Sequence, residues 1–271
     1  MLADQLEATR AGHPDSIRRG HEIQLRELKK VFRSRDGSET VAVTNTTQTI
    51  AAGEFVSIVG PSGCGKSTIM RLIAGLIAPT EGSVTLGGTL VTEPSPAIGI
   101  AFQRPVLLPW LTVNQNIALP AELEGRWSKQ KIAERLATLL DLVRLTGTGT
   151  RQPAELSGGM QQRVSIARAL MTDPEVLLMD EPFGALDALT REHMNDELLS
   201  IWERTRATVV FITHDIAEAV YLSDRVLVMS TNPGLVIANI PIDLPRPRTA
   251  LVRGNPEFVR AGMEIRSLIS H

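Results

Sequence analysis

Eight consecutive residues, Gly60-Pro61-Ser62-Gly63-Cys64-Gly65-Lys66-Ser67, fit the pattern GxxxxGK[ST] between a short apolar run and a helical segment. Glycines there let backbone N–H groups converge on phosphate oxygens without Cβ obstruction, and the following helix N-terminus adds its dipole. Lys66 would place an ammonium on the β and γ phosphates, and Ser67 a hydroxyl on Mg²⁺. The nucleotide-binding stretch is thus read as 60–68, closing at Thr68. Cys64, the only cysteine, is expected as a small apolar filler in this loop, so a bulky thiol reagent there should block the phosphate site. A second candidate is the acid pair Asp180-Glu181, which ends the apolar run Val176-Leu177-Leu178-Met179. Apolar residues followed by an acid put a carboxylate at the C-terminal edge of a parallel sheet, where ligands bind. Asp180 suits Mg²⁺, directly or through water, and Glu181 can accept a proton from an attacking water. A third is Leu156-Ser157-Gly158-Gly159-Met160-Gln161, where Ser157 caps a helix whose exposed N–H groups form another anion site.

The elements around these motifs give the fold class. Residues 22–31 and 41–50 alternate apolar and polar side chains as half-buried strands do, with a hairpin-type connection at 34–39 that contains Asp36-Gly37. Strands are expected at 54–59, 175–179, 207–213 and 225–230, and helices at 188–205 and 216–222. That alternation argues for an α/β fold with a mainly parallel sheet and helices on both faces. Helical spacing from Ser128 (Ile132, Leu136, Leu139, Leu140, Val143) and over 158–172 makes the stretch from about Gln103 to Thr172 an inserted helical region. A tail is expected at 1–20 and a short amphipathic helix over 257–269.

With these motifs in this order, the chain resembles the ATP-binding-cassette family, and the signature-like LSGGMQQR (156–163) is its most specific match. The resemblance implies a P-loop NTPase fold, a RecA-like sheet with an antiparallel β subdomain and a helical insertion. The corresponding division is a 1–20 tail, an ATPase domain over 21–250 and a C-terminal helix in 251–271. It also implies ATP and Mg²⁺, and a homodimer that sandwiches each ATP between one protomer's Lys66 loop and the partner's Ser157 and Gly159. By the same resemblance Gln103 touches Mg²⁺ and the lytic water, Asp187 belongs to the loop that aligns protomers, His214 holds the γ-phosphate and the base, and Phe32 stacks on adenine.

Residues 102–113, Phe-Gln-Arg-Pro-Val-Leu-Leu-Pro-Trp-Leu-Thr-Val, carry an apolar patch broken by two prolines, which suits a groove for a partner's helix. Together with Asn232-Pro-Gly-Leu and Asp243-Leu-Pro-Arg-Pro-Arg248, it is similar to the nitrate, sulfonate, taurine and bicarbonate importer group. That likeness implies two permease subunits, a periplasmic or lipid-anchored binding protein, and a peripheral location on the cytoplasmic face of the bacterial inner membrane. Arg104 departs from it, since an acidic residue often follows the glutamine.

Composition narrows the rest. A hydrophobic share of 43% supports a large core, and 28 basic against 30 acidic residues give no electrostatic reason to expect nucleic acid. The longest apolar stretches, such as 72–79, are far too short to span a bilayer. Asp4 and Glu7 leave no apolar signal-peptide core. A non-transport cassette ATPase acting on nucleic acid or a large assembly is the competing expectation. Four histidines, His13, His21, His193 and His271, are expected as surface residues.

Overall fold

The computed structural model describes residues 20–34, 37–184, 186–231 and 233–269. The tail at 1–19, Asp36 of the hairpin turn, Asn232, His13 and His271 lie outside them. Alternating patterning builds β1 (Ile23–Arg33) and β2 (Glu39–Ile50), which pair antiparallel. The chain continues through β3 (Phe55–Val59), α1 (Lys66–Ile73), β4 (Glu81–Leu86), β5 (Thr89–Leu90) and β6 (Ile98–Ala101). Three helices of the insertion follow, α2 (Val113–Glu124), α3 (Lys129–Leu142) and α4 (Gly158–Ala169). Then come β7 (Val176–Asp180), α5 (Ala188–Thr205), β8 (Thr208–Ile212), α6 (Ile216–Leu222), β9 (Arg225–Ser230), β10 (Leu235–Pro241) and α7 (Pro256–Ile269).

A four-stranded antiparallel sheet has the order β2-β1-β4-β5, and a six-stranded sheet the order β10-β9-β3-β8-β7-β6. The second is parallel except where β10 joins β9. Its central strands β3, β7 and β8 are largely apolar and almost wholly buried because both faces are covered. On β3, Phe55 and Val59 point into the core shared with α5, α6 and the helical insertion. Val56 and Ile58 point the other way, into a core shared with α1 and the antiparallel sheet. Phe55 meets Trp202 edge-on, with ring centroids 5.9 Å apart. Burial of each such ring contributes about 1.5–3 kcal/mol. Helix α1 is therefore wedged between two sheets, which fixes the loop in front of it.

Two expectations shift. The helix expected over 158–172 stops at Ala169, since Asp173 takes a left-handed φ of 54° and Pro174 follows. His21 is half-buried rather than at the surface, with its Nδ1 enclosed and its ring against Gly87, whereas His193 is exposed. The Arg246 and Arg248 side chains have a structural explanation. Buried Arg248 donates from Nη1 to the carbonyls of Val220, Tyr221 and Ser223 at 3.2, 2.8 and 2.8 Å, closing the end of α6. Arg246 bonds Asp224 and lies 4.2 Å over the Trp202 ring.

Candidate active site

Adjacent strands β6, β7, β8 and β3 deliver the site in spatial order at their carboxyl ends. Gln103 follows β6, Asp180 and Glu181 end β7, His214 follows β8, and the 60–67 loop follows β3. This is the edge where open α/β sheets bind ligands.

The loop is built by its glycines and its lysine. Gly65 has a φ of 95° and caps α1, and a Cβ on it would come within 2.3 Å of the Ala42 carbonyl oxygen. A Cβ on Gly60 would sit 2.5 Å from the Met229 oxygen. Only glycine fits either position, which leaves the backbone free to approach a phosphate. Lys66 Nζ, on a side chain that is 6% exposed, donates to the carbonyls of Gly60 and Pro61 at 2.8 and 3.0 Å. Cys64 is 1% exposed, with Sγ 3.8 Å from that ammonium. Pro61 and Thr68 are half-buried, and Ser62 and Gly63 face solvent.

The two carboxylates separate. Ser67 Oγ donates to Asp180 Oδ1 at 3.1 Å. Burial holds the Asp180 carboxyl above its usual range and the Glu181 charge adds to this, while the Ser67 bond and the nearby Arg71 and Lys66 charges oppose it. Glu181 leaves the strand in a left-handed turn (φ 45°) secured by its N–H to the Ile212 carbonyl at 2.9 Å. Its side chain meets partners other than Ser67. Gln103 Nε2 donates to Glu181 Oε2 at 3.1 Å, and His214 Nδ1 lies 3.3 Å from the same oxygen.

The other expected residues lie apart from this cluster. Ser157 caps α4, accepting from the Met160 N–H at 3.3 Å, and Gly158 is exposed with open space where a side chain would be. Leu156 is buried, and Gln161 donates to the Pro153 carbonyl at 3.0 Å. Asp187 caps α5 through the Thr190 N–H at 3.0 Å, and these Thr190 bonds hold its carboxyl below the usual range. Gly159 faces that helix start, since a Cβ on it would be 3.5 Å from Leu186 and 3.6 Å from Thr190. Phe32 is 41% exposed near the end of β1, with Lys30 Nζ 5.3 Å from its ring centre.

Residues 43–184, more than half the chain, match the family model described as ABC transporter. The chain belongs to the ABC transporter family. It is an ATP-binding ATPase of that family. This cassette is 54% identical over 209 residues to a putative ATP-binding protein of Brucella abortus, covering 77% of this chain and 80% of that one. It is 47% identical over 224 residues to the aliphatic sulfonates import ATP-binding protein SsuB of Bacillus subtilis, covering 83% and 85%. Among solved structures, the dimeric cassette MJ0796, titled a bacterial ABC transporter cassette, superposes with a TM-score of 0.74 at 34% identity, covering 82% and 100%.

The donor set fits an ATP–metal complex. A glycine-walled loop with a seated ammonium suits polyphosphate, and the Ser67–Asp180 pair offers the hard oxygen atoms that Mg²⁺ takes. Among the described residues no three His, Cys, Asp or Glu side chains form an all-protein metal cage. Mg²⁺ characteristically completes its shell with phosphate oxygens and water instead.

Four residues that sequence reading passes over shape the cassette's site. A Cβ on Gly234 would lie 2.2 Å from the Ala42 oxygen and 2.3 Å from the Cys64 oxygen, so Gly234 seats the phosphate loop against β2. Gln162 donates to the Phe102 carbonyl at 3.2 Å. Arg168 donates to the Pro105 and Val106 carbonyls at 2.8 and 3.0 Å. Buried Asn116 accepts from the Leu108 N–H at 2.8 Å and donates to the Leu108, Leu111 and Thr112 carbonyls at 3.1 Å. Gln162 lies within LSGGMQQR, but of the four only Gly234 has a turn signal for its role, the Asn-Pro-Gly triplet. The other three act on backbone carbonyls.

Proposed function

We propose that this chain is the ATP-hydrolysing subunit of a bacterial importer, a homodimer on the cytoplasmic face of the inner membrane beneath two permease subunits. A periplasmic or lipid-anchored binding protein delivers the solute. The observation that carries this reading is the loop after Gln103. Arg168 and Asn116 pin its backbone, yet Val106 is 60% and Trp110 69% exposed. A pinned loop that presents large apolar side chains is built to receive a partner. Among the described residues no helix is long and apolar enough to cross a membrane, so membrane attachment in this reading comes through that partner. In this reading the solute is a small oxyanion of the sulfonate, taurine, nitrate and bicarbonate kind, which the likeness to relatives named for aliphatic sulfonate import supports.

Hydrolysis transfers the γ-phosphoryl group of ATP to water, with ADP as the leaving group. Glu181 accepts the proton of the attacking water, while Gln103 and His214 hold its carboxylate in place. Lys66 and the loop N–H groups balance phosphate charge, and Asp180 orients the Ser67 hydroxyl. Mg²⁺ held by Ser67, Gln103 and Asp180, directly or through water, supplies further charge neutralisation. Phe32 stacks on adenine, and the 156–161 turn with Asp187 faces the partner protomer. In this assignment residues 21–250 form the ATPase domain, with the helical subdomain inserted at about 103–172.

Affinity purification from membranes tests this reading. A polytopic membrane protein should co-purify with the wild-type chain and be lost on Trp110→Asp. Salt-sensitive DNA or RNA binding in place of that partner supports the nucleic-acid alternative and removes the importer assignment.

A further inference from the structure

One guanidinium joins the two loops that matter most for protomer contact and for the γ-phosphate. Arg191 lies in the second turn of α5, with a side chain that is 24% exposed. Its Nη1 donates to Asp215 Oδ2 at 3.0 Å, and its Nη2 to the Leu186 carbonyl at 3.1 Å. Leu186 precedes Asp187, and Asp215 follows His214. Asp215 is itself fixed, since its Oδ1 caps α6 by accepting the Glu218 N–H at 3.1 Å. On the other side of His214, the buried Thr213 hydroxyl donates to Glu218. The histidine is therefore held from both flanks, and one of those holds leads directly to the Asp187 loop.

We propose that Arg191 is a positioning residue that transmits the placement of the Asp187 loop to His214, and through His214 to Glu181. The planar fork of arginine is what the task requires. It satisfies a carboxylate and a carbonyl in two directions at once, whereas the compact ammonium of lysine is a point donor that cannot span both. The helix does not need the side chain for this, because the Arg191 N–H already bonds the Asp187 carbonyl at 2.9 Å. Loss of the fork leaves α5 in place and frees the two loops from each other. The inference rests on the assignment of Glu181 and His214 to hydrolysis.

The test compares Arg191→Lys and Arg191→Ala with wild type, with Glu181→Gln as control, in the purified full-length chain. Melting temperature, equilibrium binding of a fluorescent ATP analogue, kcat and KM are measured, with the NMR signals of the His214 imidazole as a readout independent of turnover. Expected for Arg191→Lys are an unchanged melting temperature and nucleotide affinity, a kcat lower by about tenfold or more, and displaced His214 resonances. Asp215→Asn should give the same loss, and the double variant little more than either single one. Wild-type kcat and His214 signals in Arg191→Lys, with Glu181→Gln inactive, overturn this inference alone. Unimpaired turnover in Glu181→Gln overturns both it and the site assignment.

Discussion

Gln103 and His214 meet on a single atom, Oε2 of Glu181, at 3.1 and 3.3 Å, although they follow strands on opposite sides of β7. The carboxylate is thus bracketed within the sheet edge, with its partners delivered by β6 and β8. A group held this way needs little reorganisation when it accepts a proton.

Glu181→Gln keeps the shape of that side chain and removes its charge. ATP binding should persist while phosphate release falls by about 10²–10⁴-fold, and ATP-bound dimer should accumulate in size-exclusion chromatography. Turnover near wild type would remove Glu181 from the role. Lys66→Ala should instead lose nucleotide affinity itself, by equilibrium binding.

Arg168 grips a strained segment. Val106 is β-branched yet has a left-handed φ of 44°, and Arg168 holds its carbonyl. Hydrogen bonds of this charged kind contribute about 1.5–3 kcal/mol each. In Arg168→Ala, hydrogen exchange should accelerate across residues 105–112 and stay unchanged at 60–67. Equal protection throughout 105–112 would show that Asn116 alone secures the loop.

Gly234→Ala pushes a methyl group into the carbonyls of Ala42 and Cys64. The phosphate loop must shift, and ATP affinity should drop by about tenfold, or about 1.4 kcal/mol. The buried Cys64 thiol should also become an open target. Labelling by a bulky maleimide, slow in wild type because the thiol is enclosed, should speed up in this variant, and bound nucleotide should slow it. Identical labelling and affinity in both proteins would contradict the close packing.

Glu218 makes stability depend on pH. Burial pushes its carboxyl up to about 7 from 4.5, the Thr213 hydrogen bond opposing and the Asp215 charge assisting. Folded protein therefore binds a proton here that the unfolded chain releases. The stability from this group is complete below pH 4.5 and is lost as pH rises through about 7. The slope within that window is at most about 1.4 kcal/mol per pH unit. Glu218→Gln should flatten the decline in melting temperature across the window; an unchanged decline would assign it to other groups.

Periodicity locates α5, α6 and β9 to the residue, because each is bounded by caps or turns that the pattern respects. It places α2 inside the helical stretch from about Gln103 to Thr172 without giving its bounds, although Thr112 and Gln115 form a complete capping box. It gives no bounds for β6 either, a four-residue strand whose Gly99 lets α4 approach so closely that a Cβ would lie 2.2 Å from the Ala169 oxygen. The site follows the same division. Lys66, Asp180 and Glu181 are legible because each motif is contiguous and its chemistry is carried by side-chain type. Arg168 and Arg191 are not, since Arg168 bonds only backbone carbonyls, which every sequence supplies at every position, and Arg191 joins a carbonyl to an aspartate 24 residues away.

The ammonium of Lys66 rests on two carbonyls of its own loop. A lysine free to swing gives up about 1.5–2 kcal/mol of rotamer entropy when it is immobilised. Here that loss accompanies folding of the chain, and phosphate oxygens need only replace peptide oxygens around a charge already in place. Capture of the nucleotide is then an exchange of partners rather than an ordering event, and its rate should be set by arrival instead of by rearrangement.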